Sequence, residues 1–166
     1  MKRDYEQLSE DAVLLNRYLM QYKYCIGKKK NLETRLSEIR FEFYHPLSSI
    51  RLDGMPKGGG TADGCAALVI KLEEIEKRIN EQMEKSMIVL TQIMNVIDCL
   101  PENSMERAII EHKYIDCFNW NKICMRENIS RTPAIAYWRK GLYSLLEFKS
   151  NQMILIDYKK TLETNE

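Results

Sequence analysis

The feature that most constrains this 166-residue chain is a long run of apolar residues spaced three and four positions apart. Their average spacing is close to the roughly 3.6 residues per turn of a straight α-helix, so they form one stripe along it. The stripe consists of Leu68, Leu72, Ile75, Ile79, Met83, Met87, Leu90, Met94 and Ile97. Alternating, strand-like runs are absent from the chain, and the pattern therefore predicts an all-α protein.

A second apolar stripe predicts a long helix near the N-terminus. Ser9 is a good N-cap for it, and the helical pattern continues to about Phe43. Gly27, followed by three lysines, predicts a kink or break, and Pro46 predicts the end because proline cannot donate a backbone hydrogen bond. The stripe consists of Leu15, Tyr18, Leu19, Tyr22, Ile26, Leu32, Leu36, Ile39 and Phe43.

The segment between the two stripes, residues 45–63, is glycine-rich and is interpreted as a connecting loop. It does not fit a phosphate-binding P-loop, because no strand precedes it and Lys57 comes before the glycines instead of after them. The second long helix is expected to begin at Thr61 or Asp63 and to end near Cys99. Residues 1–100 are therefore predicted to form a long antiparallel helical hairpin, and its exposed stripes predict a homodimer through the long helices.

The C-terminal third is predicted to hold shorter helices. Residues 100–104, which include Pro101, form a clear break after the second stripe. Helices are expected at about 104–115 and 120–126, and a further one is expected to begin after Ser130 and run through Leu145. This last helix could continue to Leu162, with a weak point at residues 149–151. We therefore assign residues 101–166 to a second domain with a C-terminal helical extension.

Several functional classes are disfavoured by composition. No segment is long and apolar enough to span a membrane, and the first residues do not resemble a signal peptide, so a cytoplasmic protein is expected. Five cysteines without close pairing indicate reduced thiols, and the absence of a Cys-x-x-Cys pair argues against zinc. The two histidines, His45 and His112, have no neighbouring nucleophile and are interpreted as solvated surface. We therefore predict no enzyme activity, no metal and no cofactor.

Residues 120–142 have the organisation of a helix-turn-helix. Asn128 lies where the turn needs a left-handed backbone conformation, Ser130 is expected to cap the second helix, and Pro133 falls in its first turn. Between positions 119 and 149 there are six basic and two acidic residues, which suits binding to a polyanion. The side chains expected to face inward are Ala134, Tyr137, Gly141, Leu142 and Leu145.

Two stretches of the chain resemble known DNA-binding proteins. The segment that begins Asn128-Ile129-Ser130-Arg131 and continues through residues 139–145 resembles the recognition-helix end of region four in primary bacterial sigma factors. The order of motifs over about residues 8–148 is similar to that of phage-encoded regulators of the ArpU/RinA type. The matching pieces are Met55-Pro56 with the glycines after it, Glu111-His112-Lys113-Tyr114-Ile115, and Trp120-Asn121-Lys122-Ile123-Cys124.

The resemblance implies a sequence-specific transcriptional regulator, encoded by a phage or prophage, that binds double-stranded DNA in the cytoplasm of a bacterial host. It implies activation of late genes, with RNA polymerase as a further partner. The second helix of the motif would enter the major groove, and the other basic side chains would contact the DNA backbone. The residues expected to contact DNA are Lys122, Arg126, Ser130, Arg131, Thr132, Ile135, Ala136, Arg139 and Lys140.

The chain departs from the sigma-factor pattern at several positions. Glu127 stands where a core leucine is usual, Ile135 and Ala136 stand where polar residues are common, and the bulky Trp138 has no evident role. These residues leave a second hypothesis open, in which the helix-turn-helix binds another protein instead of DNA. In that hypothesis Ile135, Trp138 and the methionine-rich helices would contact the partner, because methionine adapts to irregular surfaces.

Overall fold

A computed structural model describes residues 8–44 and 61–164 of the chain. Within these ranges the protein contains helices and no strands, which confirms the all-α prediction. No helix in the described ranges is long and apolar enough to cross a membrane. In chain order the helices are α1 (Glu10–Leu19), α2 (Gln21–Tyr44), α3 (Thr61–Ile97), α4 (Met105–Tyr114), α5 (Trp120–Glu127), α6 (Arg131–Glu147) and α7 (Lys149–Glu163).

The N-terminal helical region begins where the sequence predicts but is interrupted elsewhere. The Ser9 hydroxyl accepts a hydrogen bond from the backbone N–H of Ala12 at 3.3 Å, which confirms the N-cap. The interruption lies at Met20, whereas α2 runs through Gly27 without a break, so the break predicted there is wrong. One glycine costs a helix only about 1 kcal/mol, which a long helix tolerates. The predicted role of Pro46 and the loop at 45–60 lie outside the described residues.

The buried face of α3 follows a different line from the predicted stripe. Met83, Met87 and Met94 belong to that stripe, yet they are exposed, Met87 by 66%. Ile79 and Ile97 of the stripe are buried, as predicted, whereas Ser86, Ile93 and Val96 are buried although they lie outside it, so the predicted stripe is only partly correct. Ile79, Ser86 and Ile93 are spaced seven residues apart, and Leu100, just after α3, continues this spacing. Seven-residue spacing corresponds to about 3.5 residues per turn, the repeat of helices that pack along each other with a slight supercoil.

The described residues group into two compact units. One unit spans residues 25–86, and within it α2 and α3 are in contact. Arg40 near the end of α2 pairs with Glu76, and the Gln82 side chain donates to the Cys25 carbonyl at 3.4 Å near the start of α2. The other unit comprises residues 1–24 and 87–166. This grouping differs from the division expected at residue 100, because α1 and the end of α3 contribute side chains to the core of the C-terminal helices.

The larger unit is built around α6, which α1, α4, α5 and α7 all contact. Trp138 lies fully buried at its centre. Its indole N–H donates to the Tyr114 hydroxyl at 2.9 Å, and that hydroxyl donates to the Asn16 side-chain oxygen at 2.6 Å. Side chains from α6, α4 and α1 therefore form one chain of hydrogen bonds within the core. The largest fully buried side chains of this unit are Leu15, Leu19, Ile93, Val96, Ile97, Ile109, Ile110, Tyr114, Ile123, Trp138, Leu142 and Leu145.

The inward face of α6 is partly as predicted. Ala134, Gly141, Leu142 and Leu145 are buried, as expected. Tyr137, which was expected to face inward, is 37% exposed. The next residue, Trp138, occupies the buried position, because adjacent helical residues point about 100° apart and only one of them can face the core. The inward assignment of Tyr137 is therefore wrong, and Trp138 has a clear role in the core.

The extension after α6 folds as a separate helix. α6 ends at Glu147, Phe148 has an extended backbone, and α7 begins at Lys149, which confirms the weak point predicted at 149–151 to within one or two residues. The buried Asn151 amide donates to the Leu145 carbonyl at 2.9 Å and so satisfies one group at the end of α6. Tyr158 of α7 meets Tyr18 of α1 edge-on, with ring centroids 5.3 Å apart. α7 thus folds back onto α1 instead of prolonging α6.

Gly141 marks a close approach between α6 and α4. A Cβ atom added to Gly141 would lie 2.5 Å from the Ile110 Cδ1 atom and 3.3 Å from the Glu106 Cβ atom. Ile110 is fully buried, so its side chain has little room to move away. The absence of a side chain at position 141 is therefore what lets the two helices pack at this distance.

Gly141→Ala is expected to lower the free energy of unfolding by about 1–3 kcal/mol, the usual cost of overpacking a core. Gly27→Ala is a matched control, because nothing lies within 4 Å of the added methyl group and alanine favours a helix. The control should leave stability unchanged or raise it by up to about 1 kcal/mol. Urea denaturation followed by circular dichroism measures both changes. Equal effects of the two substitutions would contradict the close approach.

Candidate nucleic-acid interface

The connection between α5 and α6 is a tight turn with a defined backbone. Asn119 caps α5, its side chain accepting from the Lys122 N–H at 2.9 Å. Asn128 follows α5 in the left-handed conformation, with φ 53° and ψ 41°, as the sequence predicts. The Ile129 N–H then donates to the Cys124 carbonyl at 3.1 Å, and the Ile129 side chain packs against the core. These bonds close the end of α5 and fix where α6 begins.

Ser130 occupies the N-cap position of α6 but does not cap it through its side chain. Its backbone is extended, with φ −76° and ψ 165°, and its carbonyl accepts from the Ala134 N–H at 3.2 Å. The capping bond expected from its hydroxyl is absent. A capping hydroxyl bonds to the second or third N–H of a helix, and here the third residue is Pro133, which has none. The exposed hydroxyl of Ser130 is thus not engaged in helix capping.

The predicted DNA-contact residues on α5 and α6 differ in how exposed their side chains are. Six of them are exposed, whereas Ile135 and Arg139 are half-buried. The ninth, Lys140, is exposed but ion-paired. The start of α6 is therefore accessible, since Arg131 and Thr132 are exposed in the part of the chain that the structure describes. The six exposed residues are Lys122, Arg126, Ser130, Arg131, Thr132 and Ala136.

Aromatic packing behind α6 holds the two helices together. The Trp120 ring of α5 meets the Trp138 ring of α6 edge-on, with centroids 5.8 Å apart. Lys113 of α4 is nearly buried, and its ammonium lies 4.2 Å from the centre of the Trp120 ring, within the distance of a cation–π interaction. Ile123 of α5 is fully buried beside them. The accessible turns of α6 are therefore supported by a dense core.

Two basic side chains of α5 lie over one aromatic ring. The Lys122 ammonium is 3.7 Å from the centre of the Phe118 ring, and the Arg126 guanidinium carbon is 5.9 Å from it. Phe118 precedes α5 and packs against the core. Because exposed cation–π contacts contribute about 0.5–1 kcal/mol each, the ring restricts where these two charges lie without neutralising them.

Lys140 of α6 forms an ion pair with Glu106 of α4. Its ammonium lies 2.6 Å from a carboxylate oxygen of Glu106 in α4, although the lysine side chain is 71% exposed. The hydrogen bond from Lys140 lowers the pKa of Glu106, and Glu106 in turn raises the pKa of Lys140. A carboxylate this close reduces the positive potential that Lys140 presents to solvent. No sequence pattern indicates this pairing, since Glu106 is 34 positions away from Lys140.

His112 of α4 belongs to a polar cluster that sequence reasoning missed. Its side chain is 12% exposed, so the interpretation as solvated surface is wrong. Its Nδ1 atom lies 2.6 Å from an Asp116 oxygen, and its Nε2 atom lies 2.9 Å from a Glu127 oxygen. The ring also stacks on Phe118, with centroids 5.6 Å apart and planes 20° apart. Glu127 is therefore compatible with a position where leucine is usual, because it accepts a hydrogen bond there.

The exposed side of α5 and α6 offers positive charge and hydrogen-bond donors. In the ranges that the structure describes, no group of three or more His, Cys, Asp and Glu side chains could hold a metal ion. What the surface presents is a helix start with exposed Arg131, Thr132 and Ser130, next to the cations of α5. Such a surface can bind a polyanion. Comparisons of the chain with protein-family models, with curated proteins and with solved structures found no match.

Proposed function

We propose that the protein is a phage-type, sequence-specific DNA-binding transcriptional regulator and an activator of late genes. In this proposal α5, the turn at residues 128–130 and α6 form a helix-turn-helix of the sigma region-four kind, and α6 is the recognition helix. The observation that carries it is the accessibility of the first two turns of α6, beside the oriented cations of α5. A recognition helix contacts base edges with its N-terminal residues, and these are the turns left uncovered.

The individual contacts follow from side-chain chemistry. Arg131 can form two hydrogen bonds with a guanine, Thr132 and Ser130 can bond to a base or a phosphate, and Ile135 and Ala136 can touch a thymine methyl group. Lys122 and Arg126 can pair with phosphates, where they position the protein without selecting a sequence. Arg139 and Lys140 lie further along α6. Lys140 contributes to DNA binding only if its ammonium leaves Glu106 and pairs with a phosphate instead.

The two long helices have a separate role in this proposal. The contacts of Arg40 with Glu76 and of Gln82 with Cys25 support an antiparallel hairpin of α2 and α3. The hairpin would serve as the contact for a second copy of the chain or for RNA polymerase, in the cytoplasm of a bacterial host. The exposed methionines of α3 favour a protein partner at these helices, because their side chains adapt to irregular apolar surfaces.

The alternative function, a module whose helix-turn-helix binds a protein, has less support at α5 and α6. Trp138 was one of its candidate contacts, beside Ile135 and the methionine-rich helices, and the Trp138 side chain is fully buried, so this part of the hypothesis is wrong. Ile135 is half-buried as well. The observation that still favours a protein-binding role is Met125 of α5, which is 81% exposed.

Random-sequence duplex DNA at two salt concentrations tests the proposed function. We expect binding at low salt that weakens steeply as salt is added, because each phosphate contact releases about 0.9 counterion equivalents. Contacts by Lys122, Arg126 and Arg131 would together give a slope of about −3 for log K against log salt concentration. Absence of DNA binding at low salt would contradict the proposed function. Binding of a protein that is lost on substitution of Met125 would favour the alternative function.

A further inference from the structure

The cluster around His112 links the end of α4 to the end of α5. Asp116 lies just after α4, and Glu127 is the last residue of α5, directly before the left-handed Asn128. His112 contacts both carboxylates through its two ring nitrogens, at 2.6 and 2.9 Å. The Glu127 side chain is 19% exposed, so the contact that it makes with His112 is largely shielded from water.

The protonation state of the ring decides whether both contacts can be hydrogen bonds. Each carboxylate only accepts, so each contact requires an N–H from the ring. Neutral imidazole has one N–H, whereas imidazolium has two. In the neutral form one nitrogen lone pair would therefore face a carboxylate at hydrogen-bond distance, which is repulsive. Hydrogen bonds to both carboxylates therefore require the doubly protonated ring.

Other charged groups lie on the elements around this cluster. Lys122 and Arg126 of α5 lie on the Phe118 ring, which in turn stacks on His112. From α2, Lys23 partly offsets the rise in the pKa of Cys117 that burial causes. The two carboxylates contact the ring nitrogens directly, at 2.6 and 2.9 Å, and they carry the hydrogen bonds.

We propose that His112 is a positioning residue whose doubly protonated ring holds the end of α5 and the turn before α6 in the DNA-binding arrangement, so that affinity for DNA falls as pH rises. The proposal rests on the proposed function and adds a regulation to it. Loss of the proton would release Glu127, and with it the C-terminal turn of α5, which carries Arg126 and leads into the turn before Ser130. His112 itself need not touch DNA.

The experiment measures affinity for a duplex at constant ionic strength between pH 6 and pH 8. For the unmodified chain we expect affinity to fall about threefold to tenfold over this range, which corresponds to the loss of one hydrogen bond. His112→Gln should be independent of pH and bind as the unmodified chain does at pH 8.

Glu127→Gln distinguishes a protonation effect from a merely structural one. The glutamine amide can donate to the neutral ring at Nε2 while Nδ1–H donates to Asp116, so the neutral cluster is satisfied. Affinity should then stay at its pH 6 level up to pH 8. A Glu127→Gln variant that binds weakly at every pH would overturn the proposal, as would a flat pH profile for the unmodified chain. If DNA binding is still measurable, each of these two outcomes counts against the role of His112 and leaves the proposed DNA-binding function standing.

Nitrogen-15 NMR of the histidine rings provides a readout without DNA. The chain has two histidines, so His45→Gln identifies the signals of His112. We expect both ring nitrogens of His112 to carry protons at pH 6. A His112 ring with only one protonated nitrogen at pH 6 would overturn this proposal, whether or not the protein binds DNA. Absence of DNA binding at every pH would count against the proposed function alone.

Discussion

Trp138→Ala is expected to lower the free energy of unfolding by about 3–5 kcal/mol, the usual cost of replacing a fully buried large aromatic by alanine. The substitution empties the centre of the larger unit, removes the edge-on contact with Trp120, and takes away the N–H that donates to the Tyr114 hydroxyl. Domains of this kind are stable by about 5–15 kcal/mol, so the loss is a large fraction of the total. Urea denaturation followed by circular dichroism measures it.

The neighbouring residue provides the control. Tyr137→Ala removes an aromatic ring of similar size from a position that is 37% exposed, so we expect a change within about 1 kcal/mol. The comparison tests the register of α6 directly, since the sequence pattern placed Tyr137 inward. A larger loss for Tyr137→Ala than for Trp138→Ala would show that the helix is rotated relative to the described core.

Arg131→Ala is expected to weaken binding to a selected DNA site about 5- to 150-fold, which corresponds to the roughly 1–3 kcal/mol of one two-bond contact with a base. The selected site is a duplex recovered by repeated binding from a random DNA pool. If Arg131 instead contacts a phosphate, the loss should be uniform across sequences and the salt slope should fall by about 1. Fluorescence anisotropy with labelled duplexes measures both quantities.

Arg35→Ala is the matched control for that experiment. It removes the same charge from an exposed position on α2, within residues 25–86, away from the proposed recognition helix in the sequence. We expect affinity to change by less than about twofold, because Arg35 is not one of the proposed contact residues and an exposed charge without a direct contact is largely screened at physiological salt. Equal losses in the two variants would mean that net charge alone drives binding, and the assignment of α6 as a recognition helix would fail.

The positions of the helices follow largely from the sequence because their signals are local. Ser9, Ser104 and Asn119 cap helices, and Asn128 adopts the left-handed conformation that its place in the turn requires. The buried face of α3 was harder to predict, because polar residues occupy part of it. Ser86 lies on the buried line and Met87 beside it does not, so hydrophobicity alone selects the wrong neighbour.

The candidate interface also contains features that the sequence predicts and features that it does not. Exposure of Arg131 and Thr132 follows from where α6 begins, which the sequence marks clearly. The pairing of His112 with Asp116 has a local signal, since the two residues are only four positions apart at the end of α4. Its pairing with Glu127 joins two helices, as does that of Lys140 with Glu106. Such contacts depend on packing angles that no sequence pattern specifies.

NMR mapping of the DNA-binding surface tests the central claim most directly. A nitrogen-15-labelled sample is titrated with short duplex DNA, and the shift of each backbone amide is followed. We predict that the largest shifts fall at residues 130–136, with smaller ones at Lys122 and Arg126. Unchanged amides at 130–136 in the presence of bound DNA, or shifts confined to residues 25–86, would contradict the claim that α6 is the recognition helix.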